Sequence, residues 1–211
     1  IPTVNGAIYF DQDYAGKPLV FCVTVLDMPA KLSSGLDSGK KYVKVSDRVF
    51  MVGGAIGADG IHGATFSSLE LNENSPSTAV QIGDPITQKR VMDFLIEARD
   101  LGLYSSVTDN GAGGLSSSVG EMATFTGGAT IDLSKAPVKY PGLKPFELMI
   151  SESQERMTVA VPPKNVADFI ALSKRRGVSS TDIGEFNDSG RLKVFYGEQK
   201  VADLDLEFVH E

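Results

Sequence analysis

Asp109 closes a β-prone run and is followed by Asn110-Gly111-Ala112-Gly113-Gly114-Leu115, an acid and then glycines leading toward a helix. A carboxylate at a strand end can ligate Mg²⁺ while the first turn of the next helix faces a phosphate, so the two attractions reinforce each other. The same letters are ordinary turn chemistry as well, because Asp-Asn-Gly fits a tight reversal. A second segment, Gly53 to Gly63, holds five glycines in eleven residues. Backbone N–H groups there can converge on an anion with no Cβ in the way, yet no Gly-Lys-Ser/Thr ending marks a Walker loop, and a purely structural loop fits equally well. A third segment, Ser151-Glu152-Ser153-Gln154-Glu155-Arg156, lines up hydroxyls and amides suited to a ribose phosphate or an amide, and has the composition of an exposed loop too. Gln81 reads either as an amide-recognising side chain or as a loop residue leading into a helix. His62 is a lone histidine among glycines, and no Ser-His-Asp, Cys-His or paired-His pattern accompanies it, so nucleophilic catalysis is not indicated.

These segments need rigid neighbours, and periodicity supplies them. Arg48 to Val52 reads as a short buried strand running into the glycine loop. Asp84-Pro85 opens a helix, with Asp84 as N-cap and Pro85 in the first turn; Val91, Phe94, Leu95, Ala98 and Leu101 give its apolar face, and Gly102 ends it. Tyr104 to Thr108 is a strand, Leu115 to Phe125 a second helix, Lys135 to Leu143 irregular, Pro145 to Ile150 one or two helical turns, and Arg156 to Val161 a strand. A helix over Lys164 to Arg176 follows, then strands near 181–186, 191–196 and 201–208, with Asn187 to Gly190 and Gly197-Glu198 as hairpin turns. Strand, helix, strand, strand, strand predicts an α+β fold, a mixed or antiparallel sheet covered by helices and not a doubly wound parallel sheet. Residues 1–46 form a leading arm with a β-rich run from Lys17 to Leu26 and a loop-like stretch from Ser33 to Lys41; residues 47–211 form the domain proper.

Composition narrows the function classes. The chain has 211 residues, 42% of them hydrophobic, and no apolar run near the length of roughly 20 residues that a membrane span needs. A net charge of −7 with dispersed Lys and Arg argues against nucleic acid. The one basic cluster, Lys174-Arg175-Arg176, suits a helix C-terminus. One cysteine, Cys22, excludes an internal disulfide and fits a cytoplasmic setting. The start at Ile1-Pro2, without Met or signal segment, suggests an excised piece; such a piece is expected to dimerise or to expose an apolar patch.

The segments Val52-Gly53-Gly54 to Phe66-Ser67-Ser68, Val80 to Pro85, Thr108 to Ser117 and Ser151 to Met157 resemble, in order and spacing, those of formylglycinamidine ribonucleotide synthetases (phosphoribosylformylglycinamidine synthases). The similarity runs through essentially the whole chain and is nearest the C-terminal-type domain of the first of that enzyme's two aminoimidazole-ribonucleotide-synthetase-like halves. It implies a mixed, partly ferredoxin-like sheet under helices. It also implies an ATP- and glutamine-dependent carbon–nitrogen ligase of purine biosynthesis in which ATP phosphorylates an amide oxygen and ammonia displaces the phosphate. By the same resemblance Gln81, Glu152, Ser153 and Gln154 contact formylglycinamide ribonucleotide, and Asp109 ligates Mg²⁺. ATP is held mainly by the remaining domains, ammonia comes from a glutaminase domain or subunit, and the piece is expected to be inactive alone. Relatives with the same two-domain plan, such as aminoimidazole ribonucleotide synthetase or thiamine-phosphate kinase, and a scaffold role without catalysis are the competing readings.

Overall fold

The computed structural model describes residues 4–16, 18–32, 35–69 and 79–210. Its organising strand is Arg48–Gly53 (β1), buried over five of its six residues. Alternation sends Val49 and Met51 to one core and Phe50 and Val52 to the other, the arrangement of a strand covered on both faces. Six more strands join it: β2 (Ser106–Asp109), β3 (Ala129–Asp132), β4 (Arg156–Val161), β5 (Ser180–Phe186), β6 (Arg191–Tyr196) and β7 (Gln199–Asp205). Their order is β2-β4-β1-β5-β3-β6-β7. Every pairing is antiparallel except β3 with β6, which is parallel, so the sheet is mixed as expected.

Helices α2 (Pro85–Asp100) and α5 (Val166–Arg175) cover one face. Asp84 caps α2 by accepting the N–H groups of Ile86 and Thr87, and Val91, Phe94 and Ala98 point inward. Leu101, placed on that face by spacing, is 58% exposed because the helix has already ended. Phe169 of α5 meets Phe50 and Phe94 edge-on, with ring centroids 5.2 and 5.0 Å apart. The basic end of α5 is tied across this layer, Arg175 and Arg176 both pairing with Glu97. On the opposite face lie α3 (Gly114–Ala123), α4 (Pro145–Ile150) and α6 (Leu206–His210), over a core including Leu115, Val119, Met122, Ile131, Leu133, Leu148 and Phe186. A five-residue helix, α1 (Gly63–Ser67), follows the glycine loop.

Elsewhere the structure departs from the expected elements. Strand β3 has no counterpart among the expected elements: its residues alternate, but four of them are too few to stand out, and its place is set by neighbours distant in sequence. It slots between β5 and β6, so Asn187 to Gly190 is not a hairpin turn; Asn187 instead donates to Gly128 O at 2.9 Å and to Thr130 Oγ1 at 3.1 Å, clasping β3. The final strand stops at Asp205, where α6 begins with buried Leu206. The β-rich run of the arm forms no strand over 18–30: Val20, Phe21 and Val25 are 83% exposed or more, and a strand without a ladder partner has no hydrogen bonds to hold it. Part of the arm is attached, since Tyr42 N–H donates to Ser106 Oγ and Val43 is buried. Ser33 and Ser34 of the loop-like stretch, Lys17, Pro2 and Thr3 lie outside the described residues.

Candidate functional site

The chain leaves α4 at Ser151 and joins β4 at Arg156, and the residues between form the centre of the site. Ser151, Glu152, Ser153 and Arg156 are each at most 4% exposed, so this is not the exposed loop its composition allows. Glu152 uses both carboxylate oxygens: Oε2 accepts Ala64 N–H at 3.0 Å and Gln81 Nε2 at 2.9 Å, and Oε1 accepts Gly113 N–H at 3.2 Å. Three segments far apart in sequence are thus tied to one side chain. Gln154 Nε2 donates to Gln81 Oε1 at 2.5 Å, which completes an amide relay from Gln154 through Gln81 to Glu152.

Ser153 is held from a different side. Its hydroxyl donates to Asp59 Oδ1 at 2.7 Å and accepts Gly57 N–H at 3.0 Å. Asp59 also pairs with Lys139 Nζ at 2.9 Å, and Tyr140 OH accepts Ala58 N–H at 2.8 Å. Burial raises the Asp59 carboxyl, but the hydrogen bonds from Ser153 and Lys139 outweigh it and hold the group below its ordinary value of 3.8.

The glycine loop turns its amides inward. Gly54 N–H donates to Glu155 O, Ile56 N–H to Pro137 O and Gly57 N–H to Ser153, so these amides are spent on the protein and not on an external phosphate. Its glycines answer to close packing: a Cβ on Gly53 would stand 2.0 Å from Glu155 O, and one on Gly60, at φ +73°, would stand 2.8 Å from both Gln81 Cγ and Glu152 Cβ. The start of α3 is treated likewise. It has no side-chain cap on its own strand-to-helix turn, and the carboxylate of Glu152 reaches Gly113 N–H, supplying the negative charge that a helix N-terminus favours.

Of the predicted residues, Gln81, Glu152, Ser153 and Gln154 are brought together. Asp109 is not in contact with them. It is exposed at the end of β2, where Oδ1 accepts Gly111 N–H at 2.9 Å in the turn expected of Asp-Asn-Gly. The loop it opens reaches Glu152 only through Gly113. Among the described residues no group of three or more His, Cys, Asp or Glu side chains is set to hold a metal ion. Asp109 thus offers a single exposed carboxylate at the end of β2. His62, at φ 58°, precedes α1 without a side-chain cap bond. A separate groove of about 180 Å³, lined by Gly53, Gly54, Thr87, Arg90, Val178 and Ser179, takes in the start of the glycine loop but none of Gln81, Asp109, Glu152, Ser153 and Gln154.

Sequence reasoning missed Asp59, Lys139, Tyr140 and the side-chain role of Arg156. Asp59 and Arg156 lie inside the segments that carry the family resemblance, but their partners lie about 80 to 100 residues away or on the backbone, which no local spacing reveals.

Residues 44–197, well over half of the chain, match the family AIR synthase related protein, C-terminal domain, and the chain belongs to that family. Within it, the chain is 36% identical over 210 residues to phosphoribosylformylglycinamidine synthase subunit PurL of Salinibacter ruber, covering 97% of this chain and 27% of that protein. It is 40% identical over 212 residues to the subunit of the same name from Staphylococcus aureus, covering 98% of this chain and 28% of that one. The structure described as T. maritima PurL complexed with FGAR superposes with a TM-score of 0.75 at 29% identity, over 80% of this chain and 28% of that chain. The chain therefore spans little more than a quarter of the length of the relatives it matches.

Proposed function

We propose that this chain is the portion of a phosphoribosylformylglycinamidine synthase that presents a substrate-binding rim to the rest of the enzyme. The substrate is formylglycinamide ribonucleotide, and the product formylglycinamidine ribonucleotide, in a cytoplasmic ATP- and glutamine-dependent ligation of purine synthesis. The observation that carries this reading is the joining of Gln81, Glu152 and Gln154, from two distant segments, in one hydrogen-bonded chain. The overlap with PurL proteins along nearly the whole chain supports it, as does the likeness to a PurL structure complexed with FGAR.

In this reading Gln81 and Gln154 present amide groups to the substrate, which shares the amide function. Ser153 and Glu152 belong to the same contact set from within the rim, and Asp109 contributes one oxygen to Mg²⁺. Bound ATP and Mg²⁺ would supply the phosphoryl group and the charge neutralisation that make an amide oxygen a leaving group for ammonia. ATP binding and ammonia production fall to the other domains and to a glutaminase, and the chain alone does not turn over substrate. Calorimetric titration with formylglycinamide ribonucleotide and MgCl₂ tests this. Gln154→Ala and Gln81→Ala are expected to weaken binding at least tenfold, and Asp109→Ala to remove its Mg²⁺ dependence. No heat of binding by the unsubstituted chain, with the variants losing only thermal stability, would replace this reading with a scaffold role. The mutual saturation of the rim's polar groups is what gives that second reading its footing.

A further inference from the structure

The stretch from Ser151 to Glu155 has no regular structure to fix it. Ser151 leaves the helix with φ −59° and ψ 135°, Ser153 N–H turns back onto Ser151 Oγ at 3.2 Å, and Glu155 stands at φ 57°, a conformation non-glycine residues rarely adopt. Yet this stretch sets the path of Glu152 and Gln154. The side chain that reaches back over it is the first residue of β4. Arg156 Nε donates to Ser153 O at 2.8 Å and its Nη2 donates to Ser151 O, so one planar group holds the carbonyls on both sides of Glu152.

We propose that Arg156 is a positioning residue of the rim, whose guanidinium fork locks the Ser151 and Ser153 carbonyls and thereby aligns Glu152 with its three donors and Gln154 with Gln81. A contribution to general stability accounts poorly for it. Arg156 is 3% exposed, and among the described residues no carboxylate accepts a hydrogen bond from it. Its Nη1 has no acceptor among the described residues. Burial pulls the guanidinium down to about 10, against the pull of Asp59 upward, so it stays charged at neutral pH. A buried cation so placed is costly, and apolar replacements of such groups are commonly tolerated. What an apolar side chain or a lysine cannot supply is two donors in a fixed fork.

The proposal rests on the proposed function only for what the rim binds; the alignment itself is measurable without ligand. The experiment is amide hydrogen exchange by NMR on the full chain and on its Arg156→Lys and Arg156→Met variants. The amides of Ala64 and Gly113, which end on Glu152, are expected to exchange at least tenfold faster in both variants. Those of Ile131 and Val194, paired across β3 and β6, should be unchanged. Lysine keeps the charge and methionine keeps much of the bulk, so a shared effect isolates the fork. Unchanged exchange at Ala64 and Gly113, equal acceleration throughout the sheet, or failure of both variants to fold would each overturn the proposal. Failure of the ligand titration with this exchange pattern intact would instead remove the substrate and leave the positioning role.

Discussion

The two faces of the sheet are built from different materials. Under α2 and α5 the interior is apolar, centred on Phe50, Phe94 and Phe169. Under α3 and α4 the same sheet carries a buried polar inlay: Ser118 and Thr158 donate to Asn110 Oδ1, and Arg156, Ser151 and Ser153 continue it to the rim. Strand β4 contributes to both, with Val159 and Val161 facing the aromatic side and Arg156 and Thr158 the polar one. Strand alternation therefore lets one element serve as ballast on one side and as site on the other. Apolar contact is non-directional and tolerant, whereas the polar inlay depends on each donor meeting its acceptor.

Three measurements would break or sharpen that contrast. The largest effect is expected on the aromatic face: Phe169→Ala should cost about 3–5 kcal/mol in urea unfolding. Exchange at Ala64 and Gly113 should stay at its original rate under conditions where the variant is folded; faster exchange there would show that the faces are coupled. On the polar face Glu152→Gln puts an amide donor where N–H donors converge. A loss of about 1–3 kcal/mol is expected, with fast exchange confined to the rim. A global effect as large as that of Phe169→Ala would make Glu152 part of the fold's foundation.

The smallest effect concerns acid. The carboxyl of Asp59 is held below 3.8, so the stabilisation it brings is present above that value and is lost as pH falls through the lower folded one. The Asp59–Lys139 pair is partly exposed, and its share is expected to stay under about 1 kcal/mol. The stability gap between the chain and Asp59→Asn should therefore be flat from pH 7 to 5 and close below pH 4. A gap that widened in acid would contradict the hydrogen bonds drawn to Asp59.

Legibility followed the same divide. Helix α2 could be read from Asp84-Pro85 at one end and Gly102 at the other, and β4 and α5 from burial period, because each carries its own punctuation and one apolar face. Strand β3 could not, being four residues whose partners are β5 and β6. The arm's β-rich run was overread for the complementary reason, since high strand propensity forms no ladder unaided. Gln81 and the Ser151 to Gln154 stretch were singled out by residue type and by family resemblance. That Glu152 is the knot among them, and that Asp109 stands apart, are matters of three-dimensional register that no spacing along the chain encodes.

The insertion of β3 between β5 and β6 has a consequence for how the chain reaches its shape. A short reversal at Asn187 to Gly190 invites β5 and β6 to zip together as soon as both exist, and that local pairing is quick to form because so little chain must be closed. The native sheet refuses it: Ala129 must pair with Phe186 on one side and Leu192 on the other, across a far longer stretch of polymer. Slow refolding phases are to be sought in the expulsion of this premature hairpin, and strengthening its turn should delay maturation instead of hastening it.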